Sequence, residues 1–206
     1  MDAQSLRDAV SAISPVEWIA VVLALAYLVL AVRQHIACWI FAATSSAVFL
    51  WLFARAGLVM QAALQVFYIA MAAYGWYSWR GGAAEAQASR PVTTWPPVRH
   101  LAAIAAIVLV SAVNGALSSP DSPAVVRYLD ALTAWGSVFA TWLVARKVLE
   151  NWLYWIALDL AAAALYWSQD LVATSLLFVL YSGIAVQGYR SWRSSRPASR
   201  PHAAAV

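Results

Sequence analysis

The sequence predicts an all-α integral membrane protein with seven transmembrane helices, arranged as a parallel three-plus-one-plus-three repeat. Three observations carry that expectation. Apolar residues make up 64% of the 206 residues and charged residues 11%, against roughly 45–50% and about 25% in soluble domains. The apolar residues fall into continuous runs, each close to the ~20 residues that a helix needs to cross a bilayer. The chain also repeats itself at an offset of 113 residues.

Taken in order, the runs cover 15–33, 36–54, 58–79, 98–117, 126–145, 148–167 and 170–189. Their continuity argues against strands, which would alternate. Residues 1–14 form a short polar N-terminal tail. They lack the basic region and cleavage site of a signal peptide, so the first run reads as a retained helix. Pro15 suits a first-turn position behind Ser14 as N-cap. Residues 15–80 make the first three-helix repeat, 81–97 a flexible cytoplasmic linker, and 98–117 a linker helix. Pro120 and Pro123 mark the loop before the second repeat, 126–193. Residues 194–206, rich in Ser, Arg, Pro and Ala, read as a disordered basic tail.

Basic residues favour one face. With alternating spans, Arg33, Arg80, Arg90, Arg99, Arg146, Lys147, Arg190, Arg193, Arg196 and Arg200 share a side, and Arg7, Arg55 and Arg127 lie opposite. The positive-inside rule then puts the C-terminus in the cytoplasm and the N-terminus outside. This bias explains the isoelectric point near 9.5. No nucleic-acid partner is expected, because the basic residues sit at helix ends with no binding fold around them. Cys38 is the only cysteine, which excludes an internal disulfide framework or zinc cluster. His35, His100 and His202 show no ligand spacing, so no metal site is expected. No cofactor is expected either.

Between 33–80 and 146–193, thirteen of 48 aligned positions are identical. They include Trp39/Trp152, Leu58/Leu171, Tyr68/Tyr181, Gly75/Gly188 and Ser78-Trp79-Arg80/Ser191-Trp192-Arg193. One intervening helix gives both triplets the same orientation, a parallel repeat as in the SWEET sugar transporters. Such proteins place substrate near mid-membrane between the halves. Gly75, Gly136, Gly183 and Gly188 are candidate close-packing or hinge points.

The richest segment is Glu150-Asn151-Trp152-Leu153-Tyr154-Trp155-Ile156-Ala157-Leu158-Asp159. At 3.6 residues per turn, Trp152, Trp155 and Asp159 share a helix face. A carboxylate within a span normally faces the bundle interior or a wet cavity. Two indoles beside it make a seat for a flat cationic or polar molecule. Trp155 and Asp159 fall on Ala42 and Ser46 in the other repeat, so the scaffold is symmetric while the ligand groups are not. Trp152 is open to a second reading as an interfacial belt residue. Trp76, Trp79 and Trp192 are expected in that belt. Gln65 and Tyr68 lie on one face of the third helix, as ligand contacts or interhelical glue. Tyr181 is a cavity residue or symmetric packing. Thr133 and Ser137 line the cavity or return hydrogen bonds to their own helix. Ser46 has the same two readings, and Asn151 is a further candidate lining residue.

The Glu150–Trp155 motif with Asp159 resembles the tryptophan-pair signature of the nicotinamide riboside transporter family, the PnuC-type bacterial vitamin transporters. Leu64-Gln65-Val66-Phe67-Tyr68 with Tyr74-Gly75-Trp76-Tyr77-Ser78-Trp79 is similar to that family's third core helix. The resemblance covers roughly 15–193. It implies a SWEET-like core in the bacterial inner (plasma) membrane and uptake of nicotinamide riboside by facilitated diffusion. Phosphorylation by a cytoplasmic vitamin kinase would trap the substrate, and a homotrimer is implied. The family's substrate-binding residues map onto Trp152, Trp155, Asp159 and Gln65. One position departs: nicotinamide riboside members often carry Asn where this chain has Asp159, and relatives are associated with thiamine or other vitamins, which leaves the substrate open between nicotinamide riboside and another vitamin, thiamine first. Both vitamins carry a ring cation that suits the indoles, and Gln65 suits a carboxamide or an aminopyrimidine. An enzyme is not expected, since the spans offer one clearly buried acid, Asp159, with Glu150 and Asp170 at the ends of its helix.

Overall fold

The computed structural model describes residues 15–80, 90–118, 123–168 and 172–196. The tail 1–14 with the Ser14 cap, linker residues 81–89, Pro120, Asp170, Leu171 and the chain from 197 onward, with His202, lie outside the described residues. Seven helices follow in order: α1 Pro15–Val32, α2 Cys38–Arg55, α3 Val59–Arg80, α4 Pro97–Leu117, α5 Ala124–Ala145, α6 Asn151–Ser168 and α7 Val172–Ser194. They fall one to one on the seven apolar runs, with ends shifted by at most five residues. α1, α2 and α4 are long and apolar enough by length and composition to cross a membrane. The other four carry more polar positions, most of the candidate site residues among them.

α2 packs between α1 and α3, and α6 between α5 and α7. The two triplets meet along α3·α5 and α1·α7, while α4 lies on α5. In lipid, helices gain little from apolar burial and much from close approach, so small residues mark the tightest seams. A Cβ at Gly75 would overlap the Trp39 ring, and one at Gly188 would overlap Trp152. Gly136 packs equally close to Leu158, whereas Gly183 has open space beside it.

The buried core gathers at the helix ends next to the arginine-rich loops: Ala31, Trp39, Trp79, Val144, Trp152 and Trp192. Trp39 meets Trp79 edge-on at 5.4 Å, and Trp152 meets Trp192 edge-on at 5.4 Å. Trp79 and Trp192 meet each other at 6.1 Å. The Trp79 Nε1 donates across to Val144 O at 3.3 Å, and the Trp192 Nε1 donates to Ala31 O at 3.0 Å. Each acceptor is a last-turn carbonyl that also takes a backbone N–H from the following turn, Lys147 N on Val144 O at 2.9 Å and Gln34 N on Ala31 O at 3.0 Å. This corrects the belt expectation for Trp79 and Trp192, which are 3% and 0% exposed. Their indoles bind the opposite triplet rather than the lipid interface. Trp76 is partly buried, with Arg80 stacked over it at 5.8 Å.

Gln34 and Lys147 follow α1 and α5 with φ of 56° and 50°. Both occupy the left-handed region that non-glycine residues seldom adopt. The turn at Lys147 delays α6 until Asn151, three residues later than the apolar run suggests. Thr93 N donates to Lys147 O at 2.9 Å and Leu149 N donates to Thr93 O at 2.8 Å. Part of the expected flexible linker is therefore docked, with Val92 buried against the core.

Candidate functional site

Directly beyond this sealed end lies a cavity of about 200 Å³. Trp152, Trp155 and Asp159 of α6 line it, as their shared helix face requires, and Tyr181 of α7 joins them. The opposite wall is α1, through Tyr27 and the small or aliphatic residues Ala24, Leu28 and Ala31, and Val144 closes the floor. Ala24 and Ala31, two turns apart on α1, leave the room that the larger α6 side chains border.

Asp159 is 7% exposed, and no hydrogen bond to its carboxylate forms among the described residues. A buried carboxylate without donors is costly, so a donor or cation entering the cavity gains a strong partner. Trp152 is 1% exposed, and its Nε1 has no acceptor among the described residues. The belt reading of Trp152 is therefore set aside: its ring is held between Gly188 and Trp192 with one face of the cavity against it. Trp155 is half-buried and packs against the core cluster. Together these groups offer one anion and indole faces. They suit a flat molecule with positive charge or several donors.

The remaining candidates fall elsewhere. Gln65 is half-buried on α3 and does not border this cavity. Tyr68, also on α3, reaches Ser137 of α5 and so links the two triplets. Thr133 Oγ1 returns to Asp130 O at 3.0 Å, and Thr141 Oγ1 to Ser137 O at 2.7 Å. Of the two readings for the α5 hydroxyls, back-bonding to their own helix is the one seen for Thr133 and Thr141. Asn151 is fully buried, and its Nδ2 donates to Val148 O at 2.6 Å, bracing the first turn of α6. Ser46 is buried on α2 outside the cavity lining. Sequence reasoning missed Tyr27. Its signal was a tyrosine, the one hydroxyl-bearing residue inside the first apolar run, on the face that also carries Ala20, Ala24 and Ala31.

Comparison with known proteins agrees with this architecture. The family model described as nicotinamide mononucleotide transporter matches residues 14–194. The chain is 30% identical over 141 residues to the riboflavin/roseoflavin transporter RibM of Streptomyces davaonensis, covering 66% of each chain. It is 25% identical over 156 residues to the nicotinamide riboside transporter PnuC of Escherichia coli, covering 64% of this chain and 65% of that one. These alignments thus span just under two thirds of the length of the curated relatives. The crystal structure of the vitamin B3 transporter PnuC superposes with a TM-score of 0.66 at 21% identity, over 92% of this chain and 86% of that one. With the family model matched from before α1 to the last residue of α7, this chain belongs to the nicotinamide mononucleotide transporter family.

Proposed function

We propose that this protein carries nicotinamide riboside across the bacterial inner membrane by facilitated diffusion, with cytoplasmic phosphorylation trapping the product. The observation that carries the reading is Asp159: a carboxylate 7% exposed, bordering a cavity walled by two indoles, without a hydrogen-bond partner among the described residues. A pyridinium ring supplies the missing positive charge and stacks on Trp155 and Trp152. Tyr181 suits the ribose and carboxamide, and Gln65 would join from α3 as the triplets approach. Thiamine satisfies the same charge and is the first competitor to test. A flavin is the second reading, favoured by the 30% identity to RibM; its neutral rings would stack on the indoles and its hydroxyls would donate to Asp159.

The transport step in this reading is a rocking of two parallel triplets in a SWEET-like three-plus-one-plus-three arrangement. Supporting it, the crossed bonds Trp79–Val144 and Trp192–Ala31 join positions that the 113-residue offset exchanges. Gln34 and Lys147, also exchanged by that offset, meet at 3.5 Å. The arginine-rich face is placed in the cytoplasm by the positive-inside rule, leaving the N-terminus outside. Assembly as a homotrimer rests on the family resemblance. The deciding experiment is calorimetric binding of nicotinamide riboside, thiamine and riboflavin to the purified protein, followed by uptake into proteoliposomes. Tight binding and uptake of nicotinamide riboside, undiminished when ion gradients are collapsed, support the proposal. Selective binding of riboflavin would replace it with the flavin reading, and gradient-dependent uptake would replace facilitated diffusion with coupled transport.

A further inference from the structure

A second, larger space lies on the outer flank of the bundle, where the linker helix meets the seam between the triplets. It is a groove of about 450 Å³ bordered by Phe67 and Met71 of α3, Ile107 and Val110 of α4, and Trp135 and Trp142 of α5. Its walls are apolar and aromatic throughout. Val110 and Trp135 are 41% and 40% exposed, so the groove opens outward rather than into the bundle. Water gains few hydrogen bonds from such walls. In a bilayer, hydrocarbon is the natural filling.

One end of the groove is charged. The Arg146 guanidinium lies 5.2 Å over the ring of Trp142. Trp142 touches Trp95 at 5.5 Å, and Arg99 lies 5.9 Å over Trp95. Both arginines are thus at most one aromatic ring removed from the groove wall. Neither forms an ion pair among the described residues. The neighbouring acid, Glu150, is already engaged: its Oε2 accepts from Trp95 N at 3.3 Å and sits 3.8 Å from His100 Nε2. Apolar length ending in unneutralised guanidinium groups is the pattern that recognises a lipid with an anionic headgroup.

We propose that this groove is a binding site for an anionic phospholipid, with one acyl chain between α3, α4 and α5 and the phosphate on Arg146 and Arg99. A second copy of the chain would fill the groove with an apolar helix and leave the arginine charge unmatched, so lipid is the better fit. The site is separate from the substrate cavity and does not depend on which vitamin is carried.

The test uses the full chain, purified and examined by native mass spectrometry with phosphatidylglycerol and phosphatidylcholine of identical chains. Retention of phosphatidylglycerol over phosphatidylcholine is expected. Arg99→Gln and Arg146→Gln are each expected to reduce that retention about fivefold. Ala106→Trp, which fills the groove, should displace both lipids. Equal retention of the two lipids by the unaltered protein overturns the proposal without any variant. So does retention of phosphatidylglycerol that is unchanged in the doubly substituted, normally melting protein. An oligomer that retains no phosphatidylglycerol also overturns it.

Discussion

Asp159 is a carboxylate held at 7% exposure beside indole rings with no hydrogen-bond donor among the described residues; under the proposed function, substrate charge is the quantity it reads. Replacing it with Asn keeps shape and removes the anion. A charge-assisted contact is worth about 1.5–3 kcal/mol, so Asp159→Asn should weaken a cationic vitamin roughly ten- to a hundredfold. A neutral flavin should lose far less. Titration calorimetry with both ligand types checks this, and equal losses would detach Asp159 from charge recognition. This residue, with Trp152 and Trp155, was legible in sequence because all three lie on one helix face and need no tertiary information. Tyr27 was not, since its place in the cavity exists only once α1 meets α6 and α7. The burial of Lys147 was hidden for a related reason. A basic residue at a helix end reads as solvated, yet this one is 0% exposed, with its ammonium 4.4 Å from the Trp79 ring. Burial, aided by the Arg90 charge, lowers its pKa from 10.5 to about 8. Between those values the unfolded chain holds a proton that the folded chain has released, so stability rises with pH across the window. Below about 8 both states are charged and this contribution is flat. Thermal midpoints at pH 8 and pH 10 should show an increment in the unaltered protein that Lys147→Gln lacks.

At the scale of elements, helix α7 holds two glycines in opposite surroundings. A Cβ at Gly188 would stand 2.6 Å from the Trp152 ring, whereas Gly183 has nothing within 4 Å. Gly188→Ala should therefore cost about 1–3 kcal/mol by overpacking. Gly183→Ala should be neutral or gain up to ~1 kcal/mol of helix propensity. Thermal unfolding in detergent distinguishes them, and equal effects would mean that the α6–α7 seam is loose. The helices themselves were legible, because continuous apolar runs of membrane length leave few alternatives. The repeat offset was legible too, through Gly75/Gly188 and Trp39/Trp152, since a glycine–indole contact requires both partners in register. What the sequence hid was the role of Trp79 and Trp192. A tryptophan beside an arginine looks the same whether it borders lipid or crosses to the other triplet. The deciding fact is the position of the carbonyls of Val144 and Ala31, more than a hundred residues away in one case. Thr93 was hidden likewise, because a bridge to the Lys147 turn has no local signature.

For the whole molecule, most hydrogen bonds between triplets among the described residues gather at one end, with Tyr68 and Ser137 meeting further along the α3·α5 seam. Trp79 and Trp192 each hand an indole N–H across, and Ser191 Oγ donates to Val32 O at 3.1 Å. Gln34 also donates to Ser195 at 2.7 Å. The cavity lined by Trp152, Trp155 and Asp159 begins immediately beyond these bonds. Under the proposed transport cycle, a molecule leaving through the arginine-rich face would pass where they now lie, and an open state would lack these interactions. The chain carries its own reporter there: Cys38, the single cysteine, is 0% exposed at the start of α2 beside this seal. Trp79→Phe with Trp192→Phe keeps aromatic bulk and deletes both crossing donors. At about 1 kcal/mol per hydrogen bond, the open population should rise roughly thirtyfold. Alkylation of Cys38 by a membrane-impermeant maleimide should accelerate by a similar factor. Sidedness makes the experiment sharper, because the acceleration should appear in inverted vesicles and not in right-side-out ones if the arginine-rich face is cytoplasmic. Acceleration from the opposite side would reverse the orientation while preserving the gate. Unchanged labelling from either side would show that the crossed tryptophans pack the triplets together without controlling access. Because excess substrate should stabilise the closed cavity, adding the true ligand should slow the labelling again, giving the same variant a second use as a screen among the three vitamins.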